Sequence, residues 1–222
     1  MKKNKKKYLR YESYGQFLFL IFSSFLIFLI YRAGNYLQDL IEPQDNYAYY
    51  LQPADHLWMF PAFFLGFGLV IIPLEWLYKW MLKADYDFYI EALNKIHGYN
   101  GVKVAQLLCK GFIVFGTVFF ALLLNTSLVI KEDRVIQNDF FDFIPSEYLM
   151  AEITEISYYT VPFSSDGEEW EEDVFTIYSL EGKIWSSADV FTSEQDHTHY
   201  NMMKYLAKKS NIAIIDRGFK AP

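Results

Sequence analysis

One cysteine is all that the 222 residues contain, and Cys109 alone can close no internal disulfide and complete no zinc-ligand spacing. Catalytic signatures are missing as well: there is no GxSxG, no HExxH, no phosphate loop and no dinucleotide fingerprint. The sequence therefore offers no catalytic residue, no cofactor site and no metal site, and a non-enzyme is expected. Positive charge is in deficit: 20 Lys and Arg face 27 Asp and Glu, a formal net charge of −7. Like charges repel, so nucleic acid is not an expected partner. What the chain does have is apolar surface. Hydrophobic residues make up 53% and aromatics 20%, with 21 Phe and 18 Tyr, which is too apolar for an ordinary soluble domain of this size.

The apolar residues fall into three blocks, Tyr14 to Tyr31, Leu57 to Trp80 and Gly111 to Ile130. The second and third reach the roughly 20 residues needed to cross the hydrocarbon core, and the first meets the requirement narrowly. Ser23 and Ser24 in the first can bond back to helix carbonyls. Tyr14, Tyr31, Trp58, Trp76, Tyr78 and Trp80 stand at the block edges as an interfacial aromatic belt. The first block ends in "IYRAGNYL", without a small-x-small cleavage pattern, so it is read as retained. "FLGFG", with Gly66 and Gly68, would allow a close helix approach but lacks the GxxxG spacing. Cys109 reads as a small buried hydrophobe.

Lysine and arginine set the expected direction. "MKKNKKKYLR" holds six basic residues, the loop 32–56 holds Arg32 alone, and Lys79 to Lys110 holds five lysines. High, low, high places the N-terminus in the cytoplasm and, after three crossings, the C-terminal part outside. The second loop contains Tyr86, Tyr89, Ile90, Leu93 and Ile96 at spacings of three and four, an amphipathic helix over 84–98 stopped by Gly98.

After residue 130 the texture changes to short runs of Val, Ile, Tyr and Phe broken by turn residues. "VIQNDFF", "SYYTVPF", "VFTIYSL" and "KIWSSADVF" read as strands, the last two as a hairpin about Glu181–Gly182. In "VFTIYSL", Val174, Thr176 and Tyr178 alternate with Phe175, Ile177 and Ser179, as a half-buried sheet requires. Ser193 reads as the N-cap of a late helix whose His199, Met203 and Leu206 share a face, and "NIAIID" as a closing strand. The expected fold is a membrane α-helical domain of three transmembrane helices plus a small α+β C-terminal domain, an antiparallel sheet roll with one late amphipathic helix. The boundaries are residues 1–130 for the membrane part and 131–222 for the acidic extramembrane part.

"EDRVIQNDFF", the "AEITEI" turn and "FTIYSLEGKIW" followed by a helix resemble, in order, the bacterial pleckstrin-homology-like domains attached to small membrane proteins. The resemblance covers about the last 95 residues. It implies a partly closed sheet roll capped by a helix, with interaction or scaffold roles and no catalytic residues.

Several residues invite a chemical reading. Asp166 to Asp173 packs six carboxylates into eight residues, but Gly167 comes too early for a calcium loop, and a hydrated tip between two strands is expected. His197 and His199 would share a face on a strand but lie about 200° apart on a helix, so a metal between them is not expected. Glu75, an acid within a span, stands four residues before Lys79, the spacing of an ion pair. His56 beside Asp55 reads as an interfacial anchor. Phe140, Phe141 and Phe143 are expected in the core, with partner contact as the alternative. The expected partners are the lipid bilayer of the bacterial plasma membrane and a protein, either another chain or a second copy of this one. The function these features favour is a non-catalytic protein presenting a sheet domain for interaction or scaffolding; the alternative is an accessory subunit of a transporter or channel.

Overall fold

Three helical stretches are long and apolar enough to cross a membrane: Tyr11–Ile41, Asp55–His97 and Gly101–Asn125. The computed structural model describes residues 2–41, 46–142, 144–165, 168–188 and 196–219. The chain divides into a helical unit, Met1–Leu37 with Asp55–Ala121, and a sheet unit, Gln38–Ala54 with Leu122–Pro222.

The helical unit contains most of α1 (Lys2–Ile41), then α2 (Met59–Leu69), α3 (Ile71–Leu82), α4 (Tyr86–His97) and most of α5 (Gly101–Asn125). Phe17, Phe28, Ile72, Leu107 and Val114 are each at least 59% exposed, a surface that water would penalise and lipid tails accept. Proline explains where the middle stretch breaks. Pro61 occupies the first turn of α2, where a missing N–H is harmless. Pro73 cannot donate to the carbonyl four residues back, and the helix is interrupted at Val70, between α2 and α3.

Gly66 and Gly68 serve two different neighbours. A Cβ on Gly66 would lie 3.0 Å from the Ile27 amide nitrogen of α1, and one on Gly68 would lie 2.9 Å from the Cys109 carbonyl oxygen of α5. Two helical residues apart is about 200°, so this pair opens opposite sides of α2, and the weakness of "FLGFG" as a GxxxG motif is beside the point. Gly116 of α5 completes the contact, with Leu65 backbone 3.0 Å from its would-be Cβ. Trp58, expected in the interfacial belt, is instead fully buried: it packs on Gly34 and, edge to face, on Phe120 at 5.0 Å. Trp76 and Trp80 are 69% and 65% exposed, as belt residues would be. Ser23 donates to the Phe19 carbonyl at 2.7 Å, and Cys109 is buried.

Gly98, at φ 75°, ends α4 with its N–H on the Asn94 carbonyl. Asn100 then caps α5 by accepting the Lys103 N–H at 3.0 Å. The apolar run predicted a span continuing to Ile130, but α5 stops at Asn125. Thr126 turns its N–H and hydroxyl back onto the Leu122 carbonyl, and β2 (Ser127–Ile130) begins. The β-branched pair Val129–Ile130 then lies between two strands that satisfy its backbone.

The sheet unit has two four-stranded sheets. The first, in order β1-β2-β3-β4, uses β1 (Tyr49–Leu51), β2, β3 (Arg134–Asn138) and β4 (Ser146–Leu149), all antiparallel. The second, in order β7-β6-β5-β8, uses β5 (Ile153–Ser165), β6 (Glu168–Ser179), β7 (Gly182–Ser186) and β8 (Ile214–Phe219). Helix α6 (Asp196–Ser210) lies between β7 and β8 in sequence. Its crossover lets β8 run parallel to β5, so the roll is not wholly antiparallel. Pro162 falls where β5 pairs with β6 alone, past the last β8 partner at Thr160, so its missing N–H breaks no ladder on that side.

Three more details differ from expectation. Glu168–Asp173 is strand, not loop: Trp170 pairs with Phe163 and Asp173 with Thr160, while Asp166 and Gly167 lie outside the described residues. Val174 to Ile177 are all buried, deeper than the half-buried alternation expected, because β6 lies between β5 and β7. And β1 comes from the connection between the first two spans.

The sheet unit's core joins both sheets and α6. Leu128, Ile130, Ile156, Ile177, Trp185, Met202, Met203 and Leu206 pack there without solvent exposure. Helix α6 ends with Asn211 at φ 57° and the Ile212 N–H on the Ala207 carbonyl, a Schellman-type closure. Ser193 lies outside the described residues.

Candidate functional site

Concavities with polar as well as apolar walls occur in each unit. In the helical unit a cavity of about 550 Å³ is walled by apolar side chains, among them Phe19, Leu74, Ile90 and Leu93. Several of its polar groups are paired. Glu75 accepts from Lys79 at 2.7 Å, Glu12 meets His97 at 3.0 Å, and Tyr78 donates to the Tyr11 carbonyl at 2.7 Å. Tyr89, 3% exposed, stacks on Tyr78 at 5.6 Å. Glu75 thus forms the ion pair that its spacing predicts. The Glu12–His97 contact joins residues 85 positions apart, and no local pattern announces it.

In the sheet unit the outer face of β5, β6 and β8 forms a groove of about 450 Å³. Its floor is Ser157 and Thr176, each 4% exposed, and its sides are Glu155, Tyr159, Tyr178, Arg217 and Phe219. Period two puts 155, 157 and 159 on this side of β5. Small hydroxyls at the floor and large rings beside them make the face concave. Arg217 donates to Glu155 at 2.7 Å and holds its carboxyl below the usual carboxylate range, with the Ser157 hydroxyl helping. On the core side Tyr158 donates to Asp216 at 2.9 Å, and that carboxylate pushes its phenol above the ordinary value. The same ladder that aligns β8 with β5 therefore positions both Arg217 and Phe219.

The remaining candidates sort as follows. His199 is 4% exposed and packs against Trp185 at 5.5 Å, as a core residue. The backbone is already helical at His197, where residues two apart do not share a face. Among the described residues, no three His, Cys, Asp or Glu side chains gather as a metal site would require. His56 is exposed at the start of the second stretch. Phe141, expected in the core, is 77% exposed, and Phe140 packs edge-on against it at 4.9 Å; Phe143 lies outside the described residues. Sequence reasoning missed the groove because Arg217 and Phe219 reach it only through a parallel pairing about 60 residues away in the chain. Comparison with family models, with curated proteins and with solved structures returned no match.

Proposed function

We propose that this is a non-catalytic, multi-pass protein of the bacterial plasma membrane that presents its sheet unit, outside the cytoplasm, to a protein partner. The observation that carries the proposal is the pairing of β1 with β2, Tyr49 with Ile130 and Leu51 with Leu128. β1 follows the first candidate span and β2 follows the third. Strands that pair must lie on one side of the bilayer, which supports crossing by both the second and the third span. The basic N-terminal segment and the lysines of 79–110 then favour the extracytoplasmic side for the sheet unit. The domain is acidic, with 18 acids against 8 bases in 131–222, which favours a partner with basic or hydroxyl-rich contacts. The groove beside Tyr159, Tyr178 and Phe219 is the contact surface, since aromatic residues recur at protein interfaces.

The pleckstrin-homology-like resemblance belongs to this proposal. The paired sheets and the late helix, with Met202, Met203 and Leu206 in the core, support it. The upstream β1 and the parallel β8 are departures from it.

A photocrosslinking residue at Tyr159 or Phe219, in native membranes at native expression, is expected to give a discrete heavier adduct. A band of twice the chain mass would identify a second copy as the partner. Monomer alone from both positions would contradict the proposal. The apolar cavity of the helical unit favours a second reading, an accessory subunit of a transporter or channel; adducts from lipid-facing Val114 of α5, but not from the groove, would select it.

A further inference from the structure

The register of the first sheet shows which chain connections share each of its ends. β2 starts at Ser127, two residues after α5 ends at Asn125, and Ser127 pairs with Asn138, the last residue of β3. β4 begins at Ser146, paired with Gln137. β1 ends at Leu51, paired with Leu128, and the chain enters the second candidate span four residues later. Two connections to membrane spans and the β3–β4 loop therefore share one end of the sheet. The β2–β3 turn, with Glu132, lies at the other end, about 13 Å away along the strand.

The loop is tied to the end of the third span directly. Asn125 donates its side-chain N–H to the Asp142 carbonyl at 2.6 Å, and Asn138 donates to the Asn125 side-chain oxygen at 3.4 Å. The Asp142 N–H returns to the Asp139 carbonyl at 3.0 Å, closing the turn. Phe141, on this braced turn, is 77% exposed, and Ile144, two residues before β4, is 80% exposed. Two large exposed apolar side chains, at the sheet end that carries two connections to candidate spans, are what an interfacial anchor needs.

We infer that Phe141 and Ile144 enter the headgroup–acyl boundary of the chain's own membrane and so add an anchor to the sheet unit's covalent connections to the candidate spans. The occupant of this apolar tip is lipid, because the tip is continuous with the end of α5 through Asn125. A protein partner needs no such continuity. The inference rests on α5 crossing the bilayer.

The test uses the full chain, with Cys109→Ala, in phosphatidylethanolamine–phosphatidylglycerol vesicles. An environment-sensitive fluorophore is placed in turn at Ile144→Cys, Phe141→Cys, Glu132→Cys and, within the third span, Val118→Cys. The expected result is blue-shifted emission at 144 and 141, quenched more by a nitroxide near the headgroup than by one near the chain end. Val118 is expected to show the reverse depth order, and Glu132 to be quenched only by aqueous iodide. Iodide quenching at 144 and 141 as strong as at Glu132 would overturn the anchor while leaving the span intact. Protection at 144 and 141 from both iodide and lipid nitroxides would overturn it in favour of a covering protein surface. Aqueous behaviour at Val118 would instead remove the span on which the inference rests.

Discussion

Gly68→Ala is the sharpest perturbation of the helical unit. The new methyl would lie 2.9 Å from the Cys109 carbonyl oxygen and 3.0 Å from the Ile113 amide nitrogen. Both are backbone atoms, so no side-chain rotation relieves the contact; α2 and α5 must separate by several tenths of an ångström. Such overpacking costs about 1–3 kcal/mol. Alanine also gains up to about 1 kcal/mol of helix propensity over glycine, which would mask part of the loss. Gly111→Ala supplies the control, because nothing lies within 4 Å of its would-be Cβ and only the propensity gain operates. The difference between the two variants isolates the packing contribution, and Gly68→Ala should be the less stable by about 1–3 kcal/mol. Steric trapping in bicelles, with paired biotin labels on α2 and α5 and streptavidin titration, reads that difference directly. If the two variants agree within about 0.5 kcal/mol, the limit of ordinary additivity, the close approach of α2 to α5 at Gly68 is not what holds the unit together.

Leu206→Ala removes a fully buried side chain of α6 and should cost about 2–5 kcal/mol, read as loss of protease resistance in the sheet unit with the helical unit intact. Leu180→Ala, at 81% exposure in the β6–β7 turn, should leave that resistance unchanged. Glu155 has its folded pKa lowered by Arg217, so the stabilisation of β8 on β5 is complete above the ordinary glutamate pKa and is lost as pH falls through the lower folded value. Protection of the β8 amides, relative to their intrinsic exchange rate at each pH, should therefore fall on acidification through that window in the parent, while Arg217→Ala should show lower protection at neutral pH and a weaker acid response. An unchanged pH profile in Arg217→Ala would sink that assignment.

The spans were legible because bilayer thickness demands a long apolar run, and no tertiary detail is needed to see one. The stop of α4 was legible from Gly98, and the β6–β7 hairpin from Glu181–Gly182. Most of what stayed hidden depends on partners distant in the chain. Gly66 and Gly68 look unremarkable as a motif, yet each meets a different helix. Trp58 looked interfacial until Gly34 made room for it in the bundle. β1 is three residues, Tyr49–Leu51, in an acidic connection, and becomes a strand only because β2 offers its edge. The charged run Glu168–Asp173 reads as a wet tip by composition, but the long β5 supplies a ladder that holds it extended. The groove required the α6 crossover to bring Arg217 and Phe219 beside Glu155, which no local pattern encodes.

Sidedness is the claim on which the functional proposal stands. Single cysteines at Leu180 in the sheet unit and Lys95 in α4, in a Cys109→Ala background, can be probed with a membrane-impermeant maleimide on intact spheroplasts. Labelling of position 180 in intact spheroplasts, with position 95 labelled only after permeabilisation, is the predicted result. Labelling of both positions under the same condition, or of position 95 alone from outside, would contradict it.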